Sequence, residues 1–183
     1  MLPHLEPWTE NEYLNLDRAT DNLELIDGSL LVSPAHDGPH QDIRSRLWIA
    51  LDSMARSLNL WVRAGMNARL TAGTIVMPDL VVTGGPRIVN INEAADIRLA
   101  CEITGPGTIT TDRVLKKVLY ADAAIQWYLL AEPDMPGYES LTLTLFHLEP
   151  GGYRQHATAG PGETLALDDP VPALINTEEL LHL

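Results

Sequence analysis

Residues Ile75–Gly84, IVMPDLVVTG, have the apolar density of a β-strand buried on both faces, yet Asp79 stands in the middle, directly after Pro78. An unpaired carboxylate in such a run is costly, so the acid must either lie at a strand end near water or meet a cation. Proline donates no ladder hydrogen bond and is confined within sheets to edges and bulges. A bulge would bend the strand and turn Asp79 towards a cleft, whereas a plain edge strand would leave it facing water.

Downstream, IRLACEIT (97–104) is a second apolar strand with an internal acid, Glu102. A glycine- and proline-rich loop, GPGTITTD, leads into a helix over DRVLKKVLYADAA and then a strand over IQWYLL, the order of a parallel β-α-β crossover. Helical spacing places Val114, Leu115, Val118, Leu119 and Ala121 on the core side and Asp112, Arg113, Lys116, Lys117 and Tyr120 on the other. That polar face is either solvated, with Asp112 and Lys116 as a surface i,i+4 pair, or overhangs the carboxylate of the preceding strand.

Upstream, LWVRAGMNARLT and TIVMPDLVVTG each read as one strand. Before them, GPHQDIRSRLWIALDSMARSLNL carries Ile43, Leu47, Ala50, Leu51, Met54 and Leu58 at helical spacing, predicting a long amphipathic helix with one core-facing stripe. NLELIDGSLLVSP is a hairpin turning at Asp27-Gly28, with Glu24 on its first strand. Thr9 and Glu12 form a capping box for a short helix ending near Leu16, with Trp8 stapled onto Tyr13. The C-terminal third, with alternating Leu and Thr and breaks at Gly-Gly and Pro-Gly, predicts an antiparallel meander. The expected fold class is α/β, of the mixed-sheet α+β kind with flanking helices, formed as one domain over residues 1–183.

The chain has 183 residues and a net charge of -13. That balance opposes broad non-specific binding to nucleic acid, so any phosphate partner must be gripped locally. No stretch approaches the ~20 apolar residues of a membrane span, and the N-terminus lacks the basic and apolar regions of a signal peptide, so a soluble, cytoplasmic protein is expected. The single cysteine, Cys101, reads as a small buried hydrophobe among Leu99, Ala100 and Ile103. Both lysines are adjacent, Lys116 and Lys117.

Glu24, Asp79 and Glu102 are acids inside apolar strands. Brought together on one face they would raise one another's pKa, and a divalent cation would resolve the repulsion. Oxygen ligands of this kind favour Mg²⁺ or Mn²⁺. The segments MPDLVV, CEITGPGT, DRVLKKVLYA and IQWYLL, with the LELIDGSLLVSP hairpin and the His40-Gln41 pair, resemble the PD-(D/E)xK nuclease superfamily and, within it, the Uma-two family of restriction-endonuclease-like proteins. The resemblance runs from about Trp8 to Tyr153. It implies a restriction-endonuclease-like core and a metal-assisted cut of a phosphodiester.

Carried over, Asp79 and Glu102 are metal ligands, with the Ile103 carbonyl as a further donor. Glu24 holds a second metal or a metal-bound water, and Lys116 orients or deprotonates the attacking water or stabilises transition-state charge. In the parent motif the lysine lies two residues after the second acid, where this chain has Thr104. The family's pattern Asp-Arg-x-x-Lys-x-x-x-Tyr-Ala on the next helix is met at Asp112, Arg113, Lys116, Tyr120 and Ala121. The helical wheel does not separate Lys116 from Lys117, and the choice follows the resemblance. Where the family has Ser-Pro after the second acid and its two linking residues, this chain has Gly105-Pro106.

Arg113, Lys117 and Arg44 are candidates for a nucleic-acid patch. His40 could contact phosphate or serve as a cap or packed side chain. Three functions fit: an endonuclease acting on DNA, for which the resemblance implies the homodimer that suits cutting both strands; a non-catalytic partner-binding or structural dimer protein on the same fold; or a metal-dependent phosphoesterase for small molecules.

Overall fold

The computed structural model describes residues 6–16, 23–33, 35–135 and 137–181. The capping box forms as expected: the Thr9 hydroxyl accepts from the Glu12 N–H and the Glu12 carboxylate accepts from the Thr9 N–H, opening helix α1 (Glu10–Leu14). Trp8 packs with Tyr13 in a cluster with Leu25 and Ile75. Asp27 (φ 47°) and Gly28 (φ 75°) supply the two left-handed residues of a tight hairpin turn, joining β1 (Leu23–Ile26) to β2 (Ser29–Val32).

Helix α2 (Gly38–Ser57) starts at the Asp37 cap and buries His40, Ile43, Leu47, Leu51 and Ala55. Two residues assigned to its core stripe are exposed, Met54 and Leu58. At this end the small Ala55 faces inward, and its carbonyl accepts the Leu60 N–H as the chain turns into β3.

The next two segments are β3 (Trp61–Ala64) and β4 (Ala68–Thr71), followed by β5 (Thr74–Val76) and β6 (Leu80–Thr83). The sequence predicts two continuous strands, but β3 and β6 lie in a six-stranded sheet and β4 and β5 in a five-stranded one. The pairing register nevertheless carries through, from Trp61↔Thr83 and Ala64↔Leu80 to Ala68↔Val76. One long hairpin thus passes between sheets where Gly65 to Asn67 faces Met77 to Asp79. Gly65, at φ 56°, supplies a backbone conformation that side chains disfavour, and its N–H donates to the Asp79 carbonyl at 3.2 Å. Pro78 therefore marks a junction between strands rather than a bulge within one, and Asp79 is buried rather than facing water from an edge.

The five-stranded sheet runs β2-β1-β5-β4-β7, with β7 (Asn92–Glu93) parallel to β4. The six-stranded sheet runs β11-β10-β9-β8-β6-β3, and β8 (Ile97–Ile103) pairs in parallel with β9 (Trp127–Pro133), completing the expected crossover. Strands β10 (Leu141–Glu149) and β11 (Gly152–Ala159) extend it antiparallel. A separate pair follows, β12 (Thr164–Leu167) with β13 (Ala173–Asn176). The main core lies between α2, the large sheet and the β12–β13 pair, and includes Cys101 as a fully buried hydrophobe.

Between β8 and β9 the chain is helical over 109–122, with a π-helical stretch Thr111–Lys116 leading into α3 (Lys117–Asp122). Its orientation reverses the sequence expectation. Asp112, Lys116 and Tyr120 are buried, whereas Val114 and Val118 are 59% and 53% exposed and Leu115 is also exposed. The cause is electrostatic: Glu24 and Glu102 lie beneath this helix, and only the polar face offers them a cation and a hydroxyl.

Two substitutions measure the consequence by urea unfolding. Leu47→Ala, at a fully buried position on α2, is expected to cost about 2–5 kcal/mol. Val114→Thr is expected to stay within about 0.5 kcal/mol, a result that an inward-facing Val114 would not give.

Candidate active site

Glu24, Asp79, Glu102, Asp112 and Lys116 come from four parts of the chain and meet along a cavity of about 420 Å³. β1 carries Glu24, the hairpin junction carries Asp79, β8 carries Glu102, and the π-helical stretch carries Asp112 and Lys116. Four residues apart, Asp112 and Lys116 share one helix face and are buried together.

Lys116 Nζ lies 3.1 Å from Glu24 Oε1 and 3.1 Å from Glu102 Oε1. Glu24 Oε1 also accepts the Met77 N–H at 2.7 Å. Its other oxygen, Oε2, is buried without a hydrogen-bond partner among the described residues. The Tyr120 hydroxyl donates a short hydrogen bond to Glu102 Oε1. Asp79 Oδ2 accepts the Ile103 N–H at 2.8 Å and faces His40 Nε2 at 3.2 Å. Asp79 is thereby fixed to the strand that carries Glu102.

The charges are unevenly balanced. Burial pushes the Glu102 carboxyl well above the usual range, against the pull of Lys116. Burial raises Asp112 to about 6, again opposed by Lys116. Burial alone would also raise Asp79, but the hydrogen bond and charge of His40 and the Ile103 N–H hold it below its ordinary value. Desolvation works against the Lys116 ammonium, yet Glu102 and Glu24 outweigh it and hold the proton more tightly than in water. Four carboxylates share one lysine, and an oxygen-rich set with surplus negative charge suits a hard divalent cation. Asp79 and Glu102, with the Ile103 carbonyl nearby, offer oxygen atoms of the kind such a cation takes, and Glu24 Oε2 is a further buried oxygen without a partner among the described residues. These residues fit a divalent metal.

The other predicted residues divide. His40 is at the site but 1% exposed, with Nε2 3.0 Å from the Ile103 carbonyl, so it packs against the carboxylates rather than reaching for a polymer phosphate. Arg113 points away, its Nε 2.5 Å from Glu132 Oε1. Lys117 also leaves the site, with Nζ 3.5 Å from the Phe146 ring centroid, an arrangement that cation–π attraction stabilises. The two lysines that the helical wheel left equivalent are thus separated by geometry. Arg44 lines the cavity and donates a short hydrogen bond to Gln41.

Sequence reading placed Asp112 and Tyr120 in the helix pattern without a role at the site, on a face left either solvated or overhanging the carboxylates; flanking Lys116 four residues to either side, they take the second arrangement. One contributor was not singled out at all. His36 stacks on His40 with ring centroids 3.9 Å apart, and its Nε2 is 3.7 Å from Asp79 Oδ1. The i,i+4 histidines around the Gly-Pro helix start were its available signal.

Comparison with known proteins bears on the fold and the family. A crystal structure described as a "putative nuclease belonging to DUF820" from Anabaena variabilis matches with a TM-score of 0.72 over 96% of this chain and 98% of that one, at 19% identity. At that identity the likeness shows a shared fold. No curated protein matches this chain. The family model Uma2, described as "Putative restriction endonuclease", matches residues 10–179. That match spans nearly the whole sequence, and the chain belongs to the Uma2 family of restriction-endonuclease-like proteins.

Proposed function

We propose that this chain is a divalent-metal-dependent endonuclease that hydrolyses phosphodiester bonds in DNA, with Mg²⁺ or Mn²⁺ held by Asp79, Glu102 and the Ile103 carbonyl. One observation carries the reading: a buried lysine, 3.1 Å from two strand carboxylates, lines the same cavity as Asp79. A bound divalent cation would lower the pKa of water and neutralise charge on the phosphoryl oxygens.

The chain's own residues supply the remainder. Lys116 stays protonated between Glu24 and Glu102, so it orients the nucleophilic water and stabilises developing negative charge instead of acting as a base. Glu24 Oε2, without a partner among the described residues, accepts a hydrogen bond from that water and aligns it. Tyr120 holds Glu102 in place through its hydroxyl.

The substrate reading depends on the missing cations. Among the described residues, Arg44 is the cation besides Lys116 that lines the cavity, because Arg113 and Lys117 are engaged elsewhere. Together with a net charge of -13, this favours a substrate that enters locally, such as a single-stranded or displaced segment, over a duplex gripped along its length. The same observation favours, as a second reading, a small phosphoester substrate. Cutting both strands of a duplex would take two copies related by two-fold symmetry.

Calorimetric titration of chelator-stripped protein with Mn²⁺ and Mg²⁺ is the direct test, with plasmid, single-stranded DNA and an aryl phosphodiester as substrates. Asp79→Ala and Glu102→Gln are expected to abolish metal binding and turnover. Lys116→Met is expected to retain the metal and lose about 100-fold or more in rate, while Lys117→Ala stays within about threefold of wild type. Wild-type protein that binds neither metal and cleaves none of the substrates would sink the enzymatic reading and leave partner binding on the same fold.

A pH experiment tests the charge balance. An acid whose pKa is raised on folding binds its proton more tightly in the folded state, so its stability contribution is present at low pH and declines as pH rises through the folded value. For Asp112 the window runs from about 3.8 to about 6. Without metal, Asp112→Asn should gain on wild type by up to about 3 kcal/mol between pH 4 and pH 7 in urea unfolding. His36, whose pKa burial lowers, changes stability in the opposite direction, but it is common to both proteins and cancels in the difference. An unchanged difference across this range would show that Asp112 is not held protonated by the site.

A further inference from the structure

His36 has no place in the scheme above, yet its ring and the backbone beside it are both held at the cavity wall. It directly precedes Asp37, whose carboxylate caps α2 through the His40 N–H and accepts the Tyr138 hydroxyl at 2.8 and 3.0 Å. Its ring is stacked on that of His40 with the planes 22° apart. The backbone on one side and the ring face on the other are therefore both fixed, and the imidazole remains partly open to the cavity.

The ligand atoms of His36, His40 and Asp79 all lie within 4.8 Å of one another. The two histidines differ in what their nitrogens can do. His40 Nε2 faces two acceptors, the Ile103 carbonyl at 3.0 Å and Asp79 Oδ2 at 3.2 Å, so it carries the proton there and acts as a donor. His40 Nδ1 is buried without a partner among the described residues, so moving the proton to it would leave an unsatisfied N–H. His40 consequently holds Asp79 and the Ile103 carbonyl in position and is poorly prepared to ligate.

His36 Nε2 is different. Its 3.7 Å separation from Asp79 Oδ1 is too long for a hydrogen bond. It is close to the spacing of about 3 to 3.5 Å that two ligands with bonds of ~2.1 Å subtend at octahedral to tetrahedral angles.

We propose that His36 Nε2 is a ligand to the divalent cation at Asp79, so that the site carries nitrogen as well as oxygen and prefers Mn²⁺, Co²⁺ or Zn²⁺ to Mg²⁺. The selectivity follows from donor type, because imidazole suits the borderline transition metals and carboxylate, carbonyl and water suffice for Mg²⁺. The inference rests on the reading that Asp79 holds a cation, and it identifies which metals that site takes.

The test uses the full chain, stripped with chelator. Mn²⁺ bound to wild type is expected to show nitrogen modulation in electron spin echo spectra, and Co²⁺ an intensified visible d–d absorption. In His36→Ala, checked for folding by circular dichroism and thermal melting, both signals are lost. Affinity for Co²⁺ and Zn²⁺ falls at least about tenfold, while affinity for Mg²⁺ stays within about threefold. Absence of nitrogen modulation in wild type overturns the proposal whether or not the variant folds. So does modulation that persists in His36→Ala, which would put the nitrogen on another residue, or an equal loss for Mg²⁺ and Co²⁺. Asp79→Ala separates the two levels: metal retained there defeats the proposed Asp79 site itself, whereas metal lost there but unaffected in His36→Ala defeats the His36 ligand alone.

Discussion

The burial of Lys116 between Glu24 and Glu102 is the constraint on which the site depends. An ammonium removed from water costs several kcal/mol, repaid only when carboxylates meet it at close range. Here the two carboxylates come from different sheets, β1 of the five-stranded sheet and β8 of the six-stranded one, and the cation comes from the helix that spans them. The ion cluster therefore ties three elements together at one point. It also sets the rotation of the helix, since turning the apolar side inward would bury two acids without a counter-charge.

That rotation explains why the helix was the least legible element in the sequence. Val114, Leu115, Val118, Leu119 and Ala121 form a convincing apolar stripe, and amphipathic reasoning sends such a stripe to the core. The reasoning assumes that what lies beneath is apolar. Where the underlying surface holds Glu24 and Glu102, the polar side is the complementary one, and local hydrophobicity loses to a charge interaction between residues 92 and 14 positions apart in sequence. The elements whose partners are local were readable: the Thr9–Glu12 cap, the Asp27-Gly28 turn, the α2 stripe as far as Leu51, and the crossover from β8 to β9. At the end of α2, Met54 and Leu58 gave way to Ala55 because of how the following residues return, which the helix's own spacing does not encode.

The acids were legible for a related reason. Glu24, Asp79 and Glu102 stood out because each violates an apolar pattern, and all three are buried and gathered at one cavity. What the sequence did not reveal was the route. TIVMPDLVVTG was read as one strand, while the chain leaves one sheet at Val76 and enters the other at Leu80 with its register intact. Pro78 and Gly65 make this possible from opposite sides of the hairpin, one lacking a donor and the other adopting a left-handed conformation. Asp79 sits in the gap between sheets, where its carboxylate can accept the N–H of Ile103 on the next strand. The residue that seemed misplaced in a strand is the one that closes the junction.

A chain of net charge -13 must confine its attraction for phosphate to a small region, and the arrangement of its cations meets that requirement. Arg113 is neutralised by Glu132, Arg69 by Glu10 and Glu93, and Lys117 is drawn onto Phe146. Positive charge remains at Lys116 and Arg44 along the cavity, inside a wall of carboxylates that itself repels anions. Such a site is weakly attractive to phosphate on its own. On the proposed reading a divalent cation would offset the acids, so that metal binding and substrate binding would be coupled through the same charges and the acidic surface would admit only a substrate able to reach the cation.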